Sequence, residues 1–197
     1  MVMRAMRRFG VLVWLTLLPT FHVWAQSTQS KLEDTMTLIA NALNSRGIVS
    51  WTTTAQDLFG AKWTTTNSLT QVNADPSTCS LGWTSIKMQS RDKTVETYSV
   101  QLQTVSGVSV QSRSRSRAMQ DSSSNLQFSP DTYLIQIKTT RAISGHSQLY
   151  KKDKLKSRAN LPNDHAAEIT FADEQTATKV ADAIRQAAGL CGATQSP

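Results

Sequence analysis

The chain has 197 residues, 39% of them hydrophobic and 18% charged, with a formal net charge of +7 and two cysteines. That length suits one domain of ordinary size with a real apolar core. The two cysteines stand far apart, which excludes a CxxC redox centre.

The N-terminus predicts a compartment. Arg4, Arg7 and Arg8 precede the apolar run "VLVWLTLLPTFHV", and the small residue Ala25 follows before Gln26. A basic region, a short apolar region and a small residue at the exit form a secretory signal peptide. Pro19 and His22 interrupt the run, which is short for a bilayer span of about 20 residues. We therefore expect a signal peptide over 1–25 and a single domain over 26–197, secreted or periplasmic, with no transmembrane anchor. No cysteine follows the cleavage region to carry a lipid. Loss of the three arginines takes the net charge from +7 to +4, so the mature protein is only mildly basic.

The first mature element reads as a helix, because Leu32, Met36, Ile39 and Leu43 fall on one stripe. Ser30 and Glu33 suit a capping box at its start, and Gly47 suits its closing turn. From Ile48 to Phe171 the texture shifts to Thr, Val, Ser and aromatics, predicting about seven strands near 48–55, 62–72, 79–89, 94–104, 107–118, 132–140 and 166–171. The near-copies "SWTTTAQ" and "KWTTTNS" read as two strands of one hairpin, or as a duplicated binding motif. A second hairpin is expected to turn at Ser106-Gly107, with Tyr98, Val100 and Leu102 facing inward. Arg113, Arg115 and Arg117 then share one strand face. Two segments, "MQDSSSNLQFSPD" and "RAISGHSQLYKKDKLKSRANLPND", read as long loops. The last helix starts at an Asp173 cap and carries Ala177, Val180, Ala181, Ile184, Ala187 and Cys191 along one side. Cys79, Leu81 and Trp83 alternate onto an inner face, so a Cys79–Cys191 disulfide is expected to pin the closing helix to the sheet.

These elements make an α+β fold: a bent antiparallel sheet or barrel of about seven strands, closed by a C-terminal helix and preceded by another helix. The pattern resembles the pleckstrin-homology-like barrel. The run Phe171, Asp173, Ala177, Val180, Ala181, Ala183 and Ile184, then Cys191 and Gly192, is similar to the terminal helix of secreted bacterial proteins of unknown function. "LEDTMTLIANAL" and "CSLGW" resemble the front of such proteins. The resemblance implies a fold and no activity. In lipid-binding pleckstrin-homology domains clustered basic residues occupy an early loop. "KMQSRDK" is a loose likeness of it, with Lys87, Arg91 and Lys93 at a strand turn.

Candidate chemistry is sparse. The mature histidines, His146 and His165, stand at no metal-ligand spacing, and no phosphate loop, dinucleotide fingerprint or nucleophile elbow occurs. No cofactor or metal is expected. The charged feature is "YKKDKLKSR", where Lys151, Lys152, Lys154, Lys156 and Arg158 crowd eight positions against Asp153 alone. With Arg113, Arg115 and Arg117 it reads either as solvated surface or as a dock for anionic lipid, polysaccharide or an acidic protein. The basic runs lack interleaved aromatics, which argues against nucleic acid. The expectation is an exported binding or scaffold module. The alternative is a small hydrolase with its site near the 141–165 loop.

The signal peptide has a direct test. Intact mass of the exported protein should match residues 26–197, with or without cyclisation of Gln26, whereas a full-length membrane-embedded product would exclude cleavage.

Overall fold

The computed structural model describes residues 20–55, 60–120, 126–161 and 164–193, and the side chains of all of these except 20–27 and 117–120. Most of the expected signal peptide, residues 1–19, lies outside that range. Helix α1 spans Thr20–Ser45 and so runs through the expected cleavage point. Ser30 therefore sits inside a helix rather than capping one, and Glu33 accepts a hydrogen bond from Gln29 Nε2 at 3.1 Å. The predicted stripe holds: Leu32, Met36, Ile39 and Leu43 are all buried. At roughly 1.5–3 kcal/mol per buried side chain, this stripe anchors the helix. Gly47 closes the turn at a φ of 67°, in the left-handed region that glycine tolerates.

Ten strands follow among the described residues. β1 (Val49–Ala55), β2 (Ala61–Asp75), β3 (Ser80–Gln89) and β4 (Asp92–Gln101) run antiparallel in chain order. A 3-10 turn at Leu102–Thr104 leads into β5 (Val105–Ser112), helix α2 (Arg113–Gln120), β6 (Leu126–Ser129) and β7 (Tyr133–Thr139). β8 (Ser144–Lys151), β9 (Lys154–Asn160), β10 (Ala166–Phe171) and helix α3 (Glu174–Leu190) complete the chain. The strands form two antiparallel sheets, β6-β1-β2-β3-β4-β8-β9 and β10-β7-β5, bent but not closed into a barrel.

Several expectations are corrected. Ser106-Gly107 is not a hairpin turn. β4 and β5 belong to different sheets, and the chain crosses between them at the 3-10 turn, with Leu102 fully buried at the corner. Gly107 instead marks a register shift between β5 and β7. The 107–118 strand ends at Ser112, and Arg113, Arg115 and Arg117 lie on α2 rather than along one strand face. The long 141–165 loop is largely the hairpin β8–β9, and β6 occupies part of the other expected loop.

The core lies between the sheets, where α1 packs on β2 of the larger sheet, α3 packs on the smaller sheet, and the two helices meet. Leu81 and Trp83 of β3, Val100 of β4, Ile135 and Ile137 of β7, and Ile169 of β10 meet the α1 stripe and the predicted face of α3. Leu134 is buried as well as Ile135, so the middle strand of the smaller sheet is covered on both faces. Asp173 caps α3 by accepting from Thr176 N at 2.7 Å, and this bond holds its carboxyl below the usual range. Arg185 donates from Nε and Nη2 to the Val108 carbonyl, tying α3 to β5. At Gly145 a Cβ would run into the Thr97 carbonyl and the Leu161 side chain, so β8 approaches β4 closely only because that residue is glycine.

The expected disulfide is present. Cys79 and Cys191 are bonded across 112 residues of chain, with Cα atoms 5.9 Å apart, and both pack against the core. Cys191 caps α3 through its N–H to the Ala187 carbonyl, while the Cys79 carbonyl accepts from Leu102 N at the sheet corner. Replacing both cysteines by alanine should lower unfolding stability by about 2–5 kcal/mol, read from a denaturant titration. An unchanged midpoint would mean that packing alone holds the closing helix.

Candidate functional site

The repeated Trp-Thr motifs meet as a hairpin. Trp51 lies opposite Thr65 and Thr53 opposite Trp63, so these four residues share one face of β1 and β2. On β3 the same alternation carries Leu81 and Trp83 into the core, then Ser85, Lys87 and Gln89 beyond it. Thr65 pairs with Gln89 and Asn67 with Lys87 across the β2–β3 ladder. The inner face of the large sheet therefore has two parts. The helices cover one end, and the other end is open.

A polar belt marks the boundary between the two parts. Arg46 donates from Nη1 to the Thr170 carbonyl at 2.7 Å and from Nη2 to Asn67 Oδ1 at 2.6 Å. Asn67, itself buried, passes a hydrogen bond from Nδ2 to Ser85 Oγ at 2.8 Å. Burial pulls the Arg46 guanidinium down to about 10, and its Nε is buried without a partner. Arg113 approaches from the other side. Its guanidinium lies 3.9 Å above the Trp51 ring, with Nε donating to Thr132 Oγ1 at 2.9 Å and Nη2 to Thr170 Oγ1 at 3.1 Å.

Beyond the belt the open end forms two clefts. One, of about 210 Å³, has Trp63 and Phe128 as half-buried aromatic walls, Thr53 and Thr65 as a buried floor, and Arg113 and Lys87 as cations. The other, of about 510 Å³, lies toward the β3–β4 turn among Arg91, Asp92, Thr94 and Leu149. Lys87 and Gln89 line both clefts, so they form one groove along the sheet.

The groove ends at two hairpin tips. Ser90-Arg91 turns β3 into β4, and Lys152-Asp153 turns β8 into β9. Because β4 pairs with β8, Asp92 faces Lys151 and the tips lie side by side. Lys152 N donates to the Arg91 carbonyl at 3.1 Å, and Lys151 Nζ lies 3.9 Å from Asp92. Ser90, Lys152 and Asp153 have left-handed φ angles of 56°, 50° and 61° at these tight turns. Lys93 lies over the Tyr150 ring at 5.6 Å.

Lys151, Lys152, Lys154, Lys156 and Arg158 are all exposed on this hairpin, as expected of a charged surface. The structure adds Lys87 and Arg91 beside them, which a linear search for charge runs does not group. It separates Arg113, Arg115 and Arg117 from them. Those residues begin α2, which packs on β6 at the opposite edge of the large sheet from β9. Six strand spacings separate β6 from β9, although Arg113 itself lines the same cleft as Lys87. Arg113 is half-buried in the polar belt, Arg115 is exposed, and the Arg117 side chain lies outside the described residues. The missed groove had a signal in the two Trp-Thr repeats, whose aromatic residues converge once the strands pair.

His146 is exposed on β8, opposite Thr97. His165 Nδ1 lies 3.2 Å from the Thr139 carbonyl oxygen. Among the described residues neither imidazole has a hydroxyl or carboxylate partner, and no group of three metal-ligating side chains occurs. No protein-family model, curated protein or solved structure matches the chain.

Arg113 offers a sharp substitution. Lysine keeps the charge but loses the planar stack on Trp51 and the fork to Thr132 and Thr170. Arg113→Lys should cost about 1–3 kcal/mol, from a lost stacking contact and two hydrogen bonds. Thermal unfolding followed by tryptophan emission reads this directly, and a silent substitution would show that the stack contributes nothing.

Proposed function

We propose that the protein is an exported binding module that docks an anionic envelope partner through the basic end of its large sheet. The observation that carries this reading is the juxtaposition of two hairpin tips, which sets Lys87 and Arg91 beside Lys151, Lys152 and Lys154, with Lys93 on the reverse face of the sheet. Among the described residues the nearby carboxylates are fewer, with Asp92 already beside Lys151. Such an excess creates a local potential that attracts anions and fades as salt screens it over about 8 Å at physiological ionic strength. A disulfide, with no helix among the described residues long and apolar enough to cross a membrane, fits an extracytoplasmic protein. Signal-peptide cleavage and a secreted or periplasmic location belong to the same proposal. So does the pleckstrin-homology-like kinship, which a bent antiparallel sheet and a closing C-terminal helix support. The hydrolase alternative gains no nucleophile–base pair from the placement of His146 and His165.

Individual surface charges contribute little, so the set matters more than any member. A variant with Lys151, Lys152, Lys154 and Lys156 all changed to Gln should bind anionic vesicles and acidic polymers at least roughly tenfold more weakly at low salt. The wild type should approach that weaker level as salt rises. Equal binding by the two proteins, or binding indifferent to salt, removes the electrostatic dock.

A further inference from the structure

The basic end explains attraction to an anion but not the shape behind it. A recess with aromatic walls over a buried floor runs from the tips toward the polar belt. Phe128, Thr53 and Trp63 lie in one row across β6, β1 and β2. At about 4.8 Å per strand the two aromatic residues are rooted roughly 10 Å apart, with the smaller threonine between them. Trp51, in the next row beneath Arg113, also lines this cleft and, like Thr53 and Thr65, is buried. Lys87, midway along the groove, has no carboxylate partner among the described residues.

We propose that this groove is a binding site for an acidic oligosaccharide, a reading that rests on the anionic dock proposed above. A pyranose ring has an apolar C–H face and a belt of hydroxyls. The first suits the half-buried Trp63 and Phe128, and the second suits the exposed Gln89 and Lys87, the usual division of a ligand site into apolar walls and a few placed polar groups. The carboxylates of successive sugars meet Lys87 within the groove and Arg91 and Lys151 at its mouth. A membrane surface reaches the hairpin tips but does not enter a recess on the inner sheet face. An acidic peptide supplies carboxylates without a ring for the aromatic slot. Charge and shape together select a chain of acidic sugars.

The test titrates oligogalacturonate into the full-length mature protein, with tryptophan emission as the readout. Parallel arms use a neutral maltooligosaccharide of equal length, polyglutamate, phosphatidylglycerol vesicles and oligothymidylate. Saturable binding of oligogalacturonate, tighter than any other arm, is expected. Trp63→Ala and Phe128→Ala should each weaken it roughly tenfold while leaving polyglutamate and vesicle binding unchanged, and Lys87→Gln should weaken oligogalacturonate binding as well. Trp63→Tyr, which keeps a ring at the wall, should restore most of the affinity and guards against a folding defect in the alanine variant. The proposal is overturned if oligogalacturonate does not bind, if oligothymidylate or polyglutamate binds more tightly, or if both aromatic substitutions are silent. Loss of vesicle and polyglutamate binding in the four-lysine variant, with silent aromatic variants, would remove the groove site and leave the dock standing. Indifference of every anion to the four-lysine variant would remove the dock itself.

Discussion

Thr170 is held from two sides, and the relation of the two sheets depends on that grip. Arg46 takes its carbonyl and Arg113 its hydroxyl. Thr170 belongs to β10 of the smaller sheet, whereas Arg46 reaches on to Asn67 of β2 and Arg113 stacks on Trp51 of β1, both in the larger sheet. Two guanidinium groups thus fasten one sheet to the other at the margin of the core. The arrangement has a cost. Burial disfavours the Arg46 charge, and a buried Nε without a partner forfeits about 1–3 kcal/mol. Neutral acceptors, the amide of Asn67 and the carbonyl of Thr170, offset part of it. The Phe171 ring adds to this at 5.9 Å from the Arg46 guanidinium carbon.

That belt exists because the strands are longer than the helices are wide. β2, β3 and β4 have 15, 10 and 10 residues, far more than two crossing helices can cover. An inner face left uncovered must be polar, or must present apolar side chains that something else occupies. Beyond Ser85 the face follows both courses. Lys87 and Gln89 are polar, while Trp63 and Phe128 remain half-buried walls. The groove is therefore the uncovered half of the surface that makes the core. The Cys79–Cys191 bond fixes α3 at the covered end and so fixes where coverage stops.

Periodic segments buried on one side were legible in the sequence. The α1 and α3 stripes, the Asp173 cap, the disulfide and the Trp-Thr hairpin follow from spacing that burial enforces. The failures share a physical cause. β9 is exposed at all seven positions, so no face of it carries an apolar signal, and β6 is only four residues long. The "RSRSR" alternation suggested a strand, but Arg113 is drawn inward by Trp51, Thr132 and Thr170, and the chain turns helical from there. Ser106-Gly107 has turn composition, yet the chain crosses from one sheet to the other just before it, at buried Leu102. The groove was hardest to read because its residues come from strands far apart in sequence. The Trp-Thr repeat and the basic turn in "KMQSRDK" each hinted at part of it.

Lysines on an edge strand have a second physical reading, since charge there discourages pairing with other chains. That reading covers Lys154, Lys156 and Arg158, because β9 is the outer strand of the larger sheet. It does not cover the rest. Lys87 lies on β3, three strands in from that edge, and Arg91 and Lys152 occupy turns where no strand edge needs protection. Lys152 also sits in left-handed backbone, at a cost of about 1 kcal/mol that a glycine would avoid. Edge protection predicts cations spread along the strand. The other cations instead gather around two turn tips and line an aromatic-walled recess, which is the arrangement the proposed anion dock requires.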